Sequence, residues 1–484
     1  MRSGCWSLMV VATLLQSSCM VGPDFRKPDP ILPKRWSATR QADVPLANAS
    51  PDELARWWTQ FKDPLLDRLI AEARQQNPDL QMAFARIDQA RAEQSATRSD
   101  LYPTVSGTGK VAKVANLLPF ETPLNGNSFN YFLTGFDTFW EIDVVGRLRR
   151  KLEAAEAETR GSAEEHRQAF IVLAAEIGRQ YTLYRGQQHQ QSRVLSQLKR
   201  LATVAELQQF RVDQGLDTSV ELARTRAELD NLKAQQKGLA AELVTTRHDL
   251  EELIGKPPNA LLAKLSPEGP IPSADAQRLL TTPALTLALR PDVRAAEQAL
   301  QAATARQGAA LAELFPKVSI AAFIGLRNSD LENLFRSSSF AWASGSSLSQ
   351  PLFNFGQIRA GIHLADARQR EALAAFEKTV NQALHECESA FSEYLQDLQR
   401  KTDVLAAVLA LESAARLADE RVQQGLETRQ QALRAWLAVD EQRSRLIEIE
   451  TSLAIRLIAL YKAIGGGDGE LEPPVLEEPL RPWG

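Results

Sequence analysis

His385-Glu386-Cys387-Glu388-Ser389 begins like a zinc-binding helix, in which two histidines four residues apart share one face and hold a metal. Ser389 stands where the second histidine is needed, so this stretch offers no metal pair. The other histidines, His166, His189, His248 and His363, are dispersed along helical seams and surfaces. Cys387 reads as a small helix-packing residue rather than a nucleophile. The run starting at Gly465, Gly-Gly-Gly-Asp-Gly, is not followed by Lys-Ser or Lys-Thr, so it is a poor phosphate loop, and no Gly-x-Ser-x-Gly elbow occurs. The expectation is a chain without catalytic residues, cofactor or bound metal.

One residue type does suggest a covalent event. The chain opens with an early Arg2, an apolar run from Trp6 to Leu15 and small polar residues, the layout of a secretory signal over 1–18. Cys19 then lies where a lipoprotein cleavage site places its acylated cysteine, although Gln16 occupies the position that usually carries Leu. A plain secretory signal with an incidental cysteine is the alternative. Met20 in the following position suits sorting to an outer membrane. The apolar run is too short to span a bilayer, and no later window approaches about 20 consecutive apolar residues, so any membrane attachment uses strands or lipid. A net charge of -4 over 484 residues provides no basic field, which argues against nucleic-acid partners.

The elements that position everything else are written twice. Asn77-Pro-Asp-Leu and Arg290-Pro-Asp-Val each open an Ala-rich helical stretch that ends in Leu-aromatic-Pro, at Leu101 and Leu314. Asp143-Val-Val-Gly-Arg-Leu-Arg-Arg is answered by Phe353-Asn-Phe-Gly-Gln-Ile-Arg-Ala, and Arg211-Val-Asp-Gln-Gly-Leu-Asp-Thr by Arg421-Val-Gln-Gln-Gly-Leu-Glu-Thr. Three landmarks in the same order indicate a duplicated unit of helix, two strands and two long helices. The repeats occupy 57–256 and 290–464. They are joined by a proline-rich segment, 257–289, that reads either as an equatorial band or as a plain linker, and are flanked by an arm, 19–56, and a tail, 465–484.

The predicted helices are long. No proline interrupts Gly146 to Lys256 or Gly356 to Glu472, and both stretches are rich in strong helix formers. Leu148, Leu152, Phe170, Leu173, Ile177, Tyr181 and Tyr184 follow three-and-four spacing, a narrow seam that partner helices must cover. From Arg147 to Gln214 a continuous helix reaches about 100 Å.

Strand patterns sit just before these rods, at 104–114, 130–144, 317–326 and 339–350. In the second, Phe132, Phe136, Trp140 and Ile142 alternate with Gly135, Asp137, Glu141 and Asp143. Two-faced strands of this length suit a membrane barrel, or else two surface hairpins packed on a helical bundle. Four strands cannot close a barrel, and open edges in lipid leave backbone groups unpaired. Three copies would supply twelve strands around an open lumen, whereas two would give a barrel filled by its own side chains. The expected fold is therefore mainly α with a small membrane β part, a twelve-stranded β-barrel formed by a trimer.

The ordered motifs resemble the TolC-like outer membrane efflux proteins, in particular their NodT-like lipoprotein branch. Cys19-Met-Val-Gly-Pro-Asp-Phe is similar to that branch's start, and Trp57-Trp58 with Phe61, Asp63-Pro64, Asn77 and Asp79-Leu80 matches its next pattern. Phe139-Trp-Glu-Ile-Asp-Val-Val-Gly-Arg and Gln350-Pro-Leu-Phe-Asn-Phe-Gly-Gln-Ile-Arg-Ala resemble the two strand-to-helix junctions.

The resemblance implies a homotrimeric exit duct in the outer membrane whose helices form a long α-helical barrel, reaching into the periplasm to meet an adaptor protein and an inner-membrane pump. Arg211, Gly215, Leu216, Arg421, Gly425 and Leu426 would form the helix tips that dock on the adaptor. Asp217, Glu221 and Glu427 would be aperture acids, with Gln431 and Arg434 interrupting the acidic pattern in the second repeat. Ordinary solvated helix ends are the alternative reading of these charges. Drugs, toxic organics or metal ions would be the cargo. A duct for type I protein secretion and a lipid-anchored periplasmic coiled-coil scaffold are the competing functions.

Overall fold

The computed structural model describes residues 20–33, 36–37, 54–115, 128–274 and 283–467. The signal segment, Cys19, most of the N-terminal arm and the tail from 468 lie outside the described residues.

In the first repeat a short 3₁₀ turn, Trp57–Phe61, precedes α1 (Pro64–Gln76), α2 (Pro78–Ser99), β1 (Thr104–Ala115), β2 (Ser128–Ile142), α3 (Arg147–Asp213) and α4 (Ser219–Ile254). The intervening segment carries the short helix α5 (Leu262–Leu265). That segment also carries α6 (Pro283–Leu289), and the second repeat follows with α7 (Pro291–Ala312), β3 (Lys317–Asn328), β4 (Phe340–Ser349), α8 (Gln357–Gln423) and α9 (Arg429–Ile464). The rods α3 and α8 are each 67 residues long, and α4 and α9 are each 36. Such equality is what duplication of one unit predicts.

Local chemistry sets the boundaries. β2 stops at Ile142, short of 144, because the Asp143 carboxylate accepts hydrogen bonds from the backbone N–H groups of Leu148 and Arg149 (3.1 and 3.0 Å) and so caps α3. Asp63 caps α1 in the same way through Leu65 and Leu66, with Pro64 at the first helical position. Asn77 accepts from the Leu80 N–H at 2.8 Å and starts α2.

Contacts divide the chain into two compact units. One comprises Met1–Asp29, Arg86–Ser162 and Ala295–Glu377, and contains the whole four-stranded antiparallel sheet, ordered β1-β2-β3-β4. Within it α3 and α7 approach through alanines, Ala154 and Ala157 against Ala302 and Ala305, all buried. The other comprises Pro30–Ala85, Ala163–Arg294 and Lys378–Gly484. Its core is aromatic: Trp57, with no exposed surface, stacks on Tyr461 (5.5 Å between centroids) and meets Trp58 and Phe61 edge-on. Burying side chains of this size stabilises the unit by roughly 1.5–3 kcal/mol each.

Part of the proline-rich segment is tied down within this second unit. Arg185, 4% exposed, donates to the carbonyls of Pro267 (2.7 Å) and Leu265 (3.4 Å), and Gln188 donates to Leu265 O at 2.9 Å. A buried guanidinium with carbonyl acceptors is satisfied, and the stretch after α5 is thereby held on α3.

Candidate functional site

Two features could do work: the sheet and the two helix reversals. In the sheet, cross-strand partners sort side chains into two faces. Phe136 faces Ile324, which faces Trp342, and Ile142 faces Val318, which faces Leu348. Phe136, Ile324, Trp342 and Leu348 are 52–71% exposed, an apolar surface that water would not favour. The opposite face carries Ser106, Lys110, Asp137, Glu141, Ser319, Arg327 and Ser347, with a Ser319–Ser347 hydroxyl contact of 2.8 Å. Gly135 and Gly325 pair directly, and a Cβ on either would collide with the Phe323 ring, which covers the gap they leave. Both outer strands, β1 and β4, have one free edge.

The reversals belong to the other unit and share one geometry. α3 ends with the Gly215 N–H donating to Val212 O (2.9 Å) and the Leu216 N–H to Arg211 O (2.8 Å). At the end of α8, Gly425 donates to Val422 O (3.0 Å) and Leu426 to Arg421 O (2.8 Å). This is a Schellman motif in each case, with Gly215 at φ 69° and Gly425 at φ 74°. Leu216 and Leu426 are 68% and 61% exposed. Arg211 pairs with Asp217 (3.4 Å), and Arg421 with Glu427 (2.9 Å), so each turn closes an arginine on the acid that follows its leucine.

Beyond the turns the two copies diverge. Thr428 accepts from the Gln431 N–H, and the Gln431 side chain accepts from the Thr428 N–H at 2.8 Å, a complete capping box. Thr218 makes no side-chain cap, and Glu221 pairs instead with Arg224 at 2.8 Å. Arg434, the counterpart of Arg224, has Gln431 where that acid stands. Its guanidinium reaches across to α4, donating to Glu228 (2.6 Å) and to the fully buried Thr225 hydroxyl (2.7 Å). Gln431 is thus occupied by helix capping, and Arg434 is a cross-helix tie.

Further ties on α9 join residues remote in sequence. Asp440, with no exposed surface, lies 2.8 Å from Arg200 of α3, whose guanidinium also stands over the Trp436 ring. The Trp436 indole donates to Asp419 (2.7 Å). Arg443 bonds Glu412 of α8 at 2.5 Å and holds its carboxyl below the usual carboxylate range. Only the pattern of arginines in α9 hinted at them. Cys387 is buried, its thiol donates to Ala463 O at 3.0 Å, and burial pushes it up to about 12, so it stays protonated at neutral pH.

Two repeats of long paired helices, with four strands whose faces differ in polarity, define a channel-forming class of fold. The outer membrane efflux protein profile matches residues 69–256 and 282–466. Over 481 residues the chain is 28% identical to the solvent efflux pump outer membrane protein SrpC of Pseudomonas putida, covering 95% of this chain and 98% of that one. It is 27% identical over 474 residues to the cation efflux system protein CusC of Escherichia coli strain K12, covering 96% and 100%. Among solved structures, the outer-membrane channel OprN superposes with a TM-score of 0.84 at 31% identity, covering 93% of this chain and 99% of that one. A structure of CusC gives 0.77 at 25% identity, covering 93% and 100%. The chain belongs to the outer membrane efflux protein family, and its fold is that of the TolC-like channels.

Proposed function

We propose that this protein is the outer membrane exit duct of a tripartite efflux system, in which three copies close one barrel and line a helical tunnel. A periplasmic adaptor and an inner-membrane pump would be its partners, and small molecules or ions its cargo. The observation that carries this reading is the sheet: one exposed apolar face, one polar face and two unpaired edges. Lipid tolerates such a sheet only when its edges are closed, because each unpaired backbone group there costs several kcal/mol. Twelve strands leave a water-filled lumen lined by the polar face.

In this reading Leu216 and Leu426 are the adaptor-docking tips, supported by Arg211, Gly215, Arg421 and Gly425. Arg434 bound to Glu228 and Thr225 keeps α4 and α9 together as part of the closed aperture. All three acids are paired, Asp217 and Glu427 with the arginines of their own turns and Glu221 with Arg224, and Glu221 is the most exposed of them and so the most available. Cys19 carries the lipid. Support for that comes from the residues just after it, since Met20 packs on Gly146 and the Val21 N–H donates to Val145 O at 3.0 Å, fixing this segment where β2 gives way to α3.

Purified full-length protein in planar bilayers tests the duct. Stepwise conductance from a heat-resistant oligomer is expected, and no conductance with no oligomer would sink the reading. Palmitate labelling should vanish in Cys19→Ser. Unchanged labelling refutes acylation there.

A further inference from the structure

The polar face of the sheet has its charges matched at one end and unmatched at the other. At the foot, where the strands meet the helices, Glu141 is bound by Arg147 (2.7 Å) and Lys317 by Glu313 (2.7 Å), with Arg147 also 3.5 Å from Glu313. Toward the hairpins the register sets Lys110 of β1 opposite Leu133 of β2, and Leu133 opposite Arg327 of β3. Directly opposed residues point to the same face, so the two cations share one row, about 10 Å apart across the strand between them. Both are exposed, and among the described residues neither forms an ion pair. The Arg327 guanidinium lies over the Tyr131 ring, 5.1 Å from its centroid, and Tyr131 is the next residue toward the hairpin on that face of β2. The ring holds the cation in place over the face.

One acid on this face is also unpaired: Asp137, in the row with Ser106 and Phe323. Four residues of extended chain separate it from the cationic row, about 13 Å along the strand, which exceeds the ~8 Å screening length at physiological salt. It therefore cannot neutralise that row. The β3–β4 loop adds Asp330 and Glu332 against Arg336, and among the described residues no ion pair joins them to Lys110 or Arg327. Each copy thus brings two unmatched cations and one unmatched acid to the polar face of its strands. In a barrel closed by three copies this face lines the lumen, and six cations surround one level of it. Charges that ring a water-filled path with low-dielectric walls focus their field into the path and concentrate ions of opposite sign.

We infer that the row formed by Lys110 and Arg327 is an anion-binding filter at the hairpin end of the barrel, taking multivalent anions that carry carboxylate or phosphate groups. Lys110 supplies a mobile point charge on a long stem, and Arg327 a planar fork able to hold two oxygens of one group. Metal cations meet a barrier at the same level. The inference rests on the closed-barrel reading and narrows its cargo, because organic anions leave such a mouth more readily than metal ions do.

The test is block of single-channel current by tripolyphosphate, with the full-length protein in planar bilayers. No described helix is long and apolar enough to cross a membrane, so protein added from one side keeps its helices there and presents the hairpin end to the other. Tripolyphosphate added on that far side should block the current, and the half-blocking concentration should rise about tenfold or more in Lys110→Gln with Arg327→Gln, as loss of charge-assisted contacts does. Each single variant should raise it by about threefold. Raising KCl from about 0.1 to 1 M, which shortens the screening length from ~10 to ~3 Å, should weaken the block as well. Unblocked conductance of the glutamine variants reports that their barrel is intact, since both substitutions keep a long polar side chain. Asp137→Asn should leave the block in place. A conducting wild-type channel that tripolyphosphate does not block, or a block that is unchanged in the glutamine variants, overturns the filter and leaves the duct standing. Absence of conductance and of any oligomer in the unsubstituted protein overturns both.

Discussion

The two helix reversals begin as copies and end as different devices. Through the glycine and leucine they coincide, with the same Schellman bonds, the same positive φ and the same arginine-to-acid closure. Past the threonine the two sequences part, and Glu221 against Gln431 is one of the differences. The acid keeps Arg224 on its own helix, whereas the amide completes a capping box and releases Arg434 to bind α4. The acceptors differ as well, since α9 has Ala435 and Ala438 where α4 has Thr225 and Glu228, so only Arg434 has such partners on the facing helix. Duplication preserved the turn and altered what the turn holds.

The shared part of the comparison is broken most strongly at the glycines. Gly215→Val and Gly425→Val each place a β-branched residue at positive φ, at a local cost of about 1–3 kcal/mol, although a Cβ at either position meets open space. Export measured as drug or dye efflux is expected to fall by a similar factor in both, with the oligomer intact. A defect in only one would show that the turns are not functionally equivalent.

The divergent part is addressed next in size. Arg434→Ala removes two cross-helix hydrogen bonds, one of them to a buried hydroxyl, and should lower stability by about 1–2 kcal/mol after allowing for its partial exposure. Passive leakage of a large hydrophilic solute should rise. Arg224→Ala should change neither measurably, because an exposed pair within one helix contributes little.

Capping gives a smaller contrast. Thr428→Ala should cost about 1 kcal/mol in thermal unfolding, whereas Thr218→Ala should cost close to nothing, since only Thr428 makes a cap bond. Smallest is Gln431→Glu, which supplies to Arg434 the i−3 acid found in the first repeat. Worth ~0.2–0.5 kcal/mol, that competing pair should shrink the coupling between Arg434 and Glu228 in a double-mutant cycle. An unchanged coupling energy would sever the proposed link between position 431 and the tie.

Much of this architecture was legible because it depends on periodicity and on residues with special backbone freedom. Uninterrupted runs of helix formers gave the rods, alternation gave the strands, and paired glycines gave the reversals. The contacts of Arg434 were not legible, because its partners Thr225 and Glu228 belong to a helix remote in sequence. Nor was the end of β2, where the Asp143 side chain wins its segment for the helix by satisfying free N–H groups. Residues 257–289 read as band or linker, and Arg185 on a distant helix is what holds part of them.

By itself, then, the sequence determined the duplicated plan, the long helices, the two-faced strands and the place where each rod turns back. Those properties follow from local propensity and spacing, which a chain carries before it folds. Tertiary structure decided which arginine ties which helix, and that Met20 packs on Gly146 at the first strand-to-helix junction while Gly356 at the second meets open space. Each of those depends on side chains far apart in sequence meeting at hydrogen-bonding or van der Waals distance, and only the folded chain sets such distances.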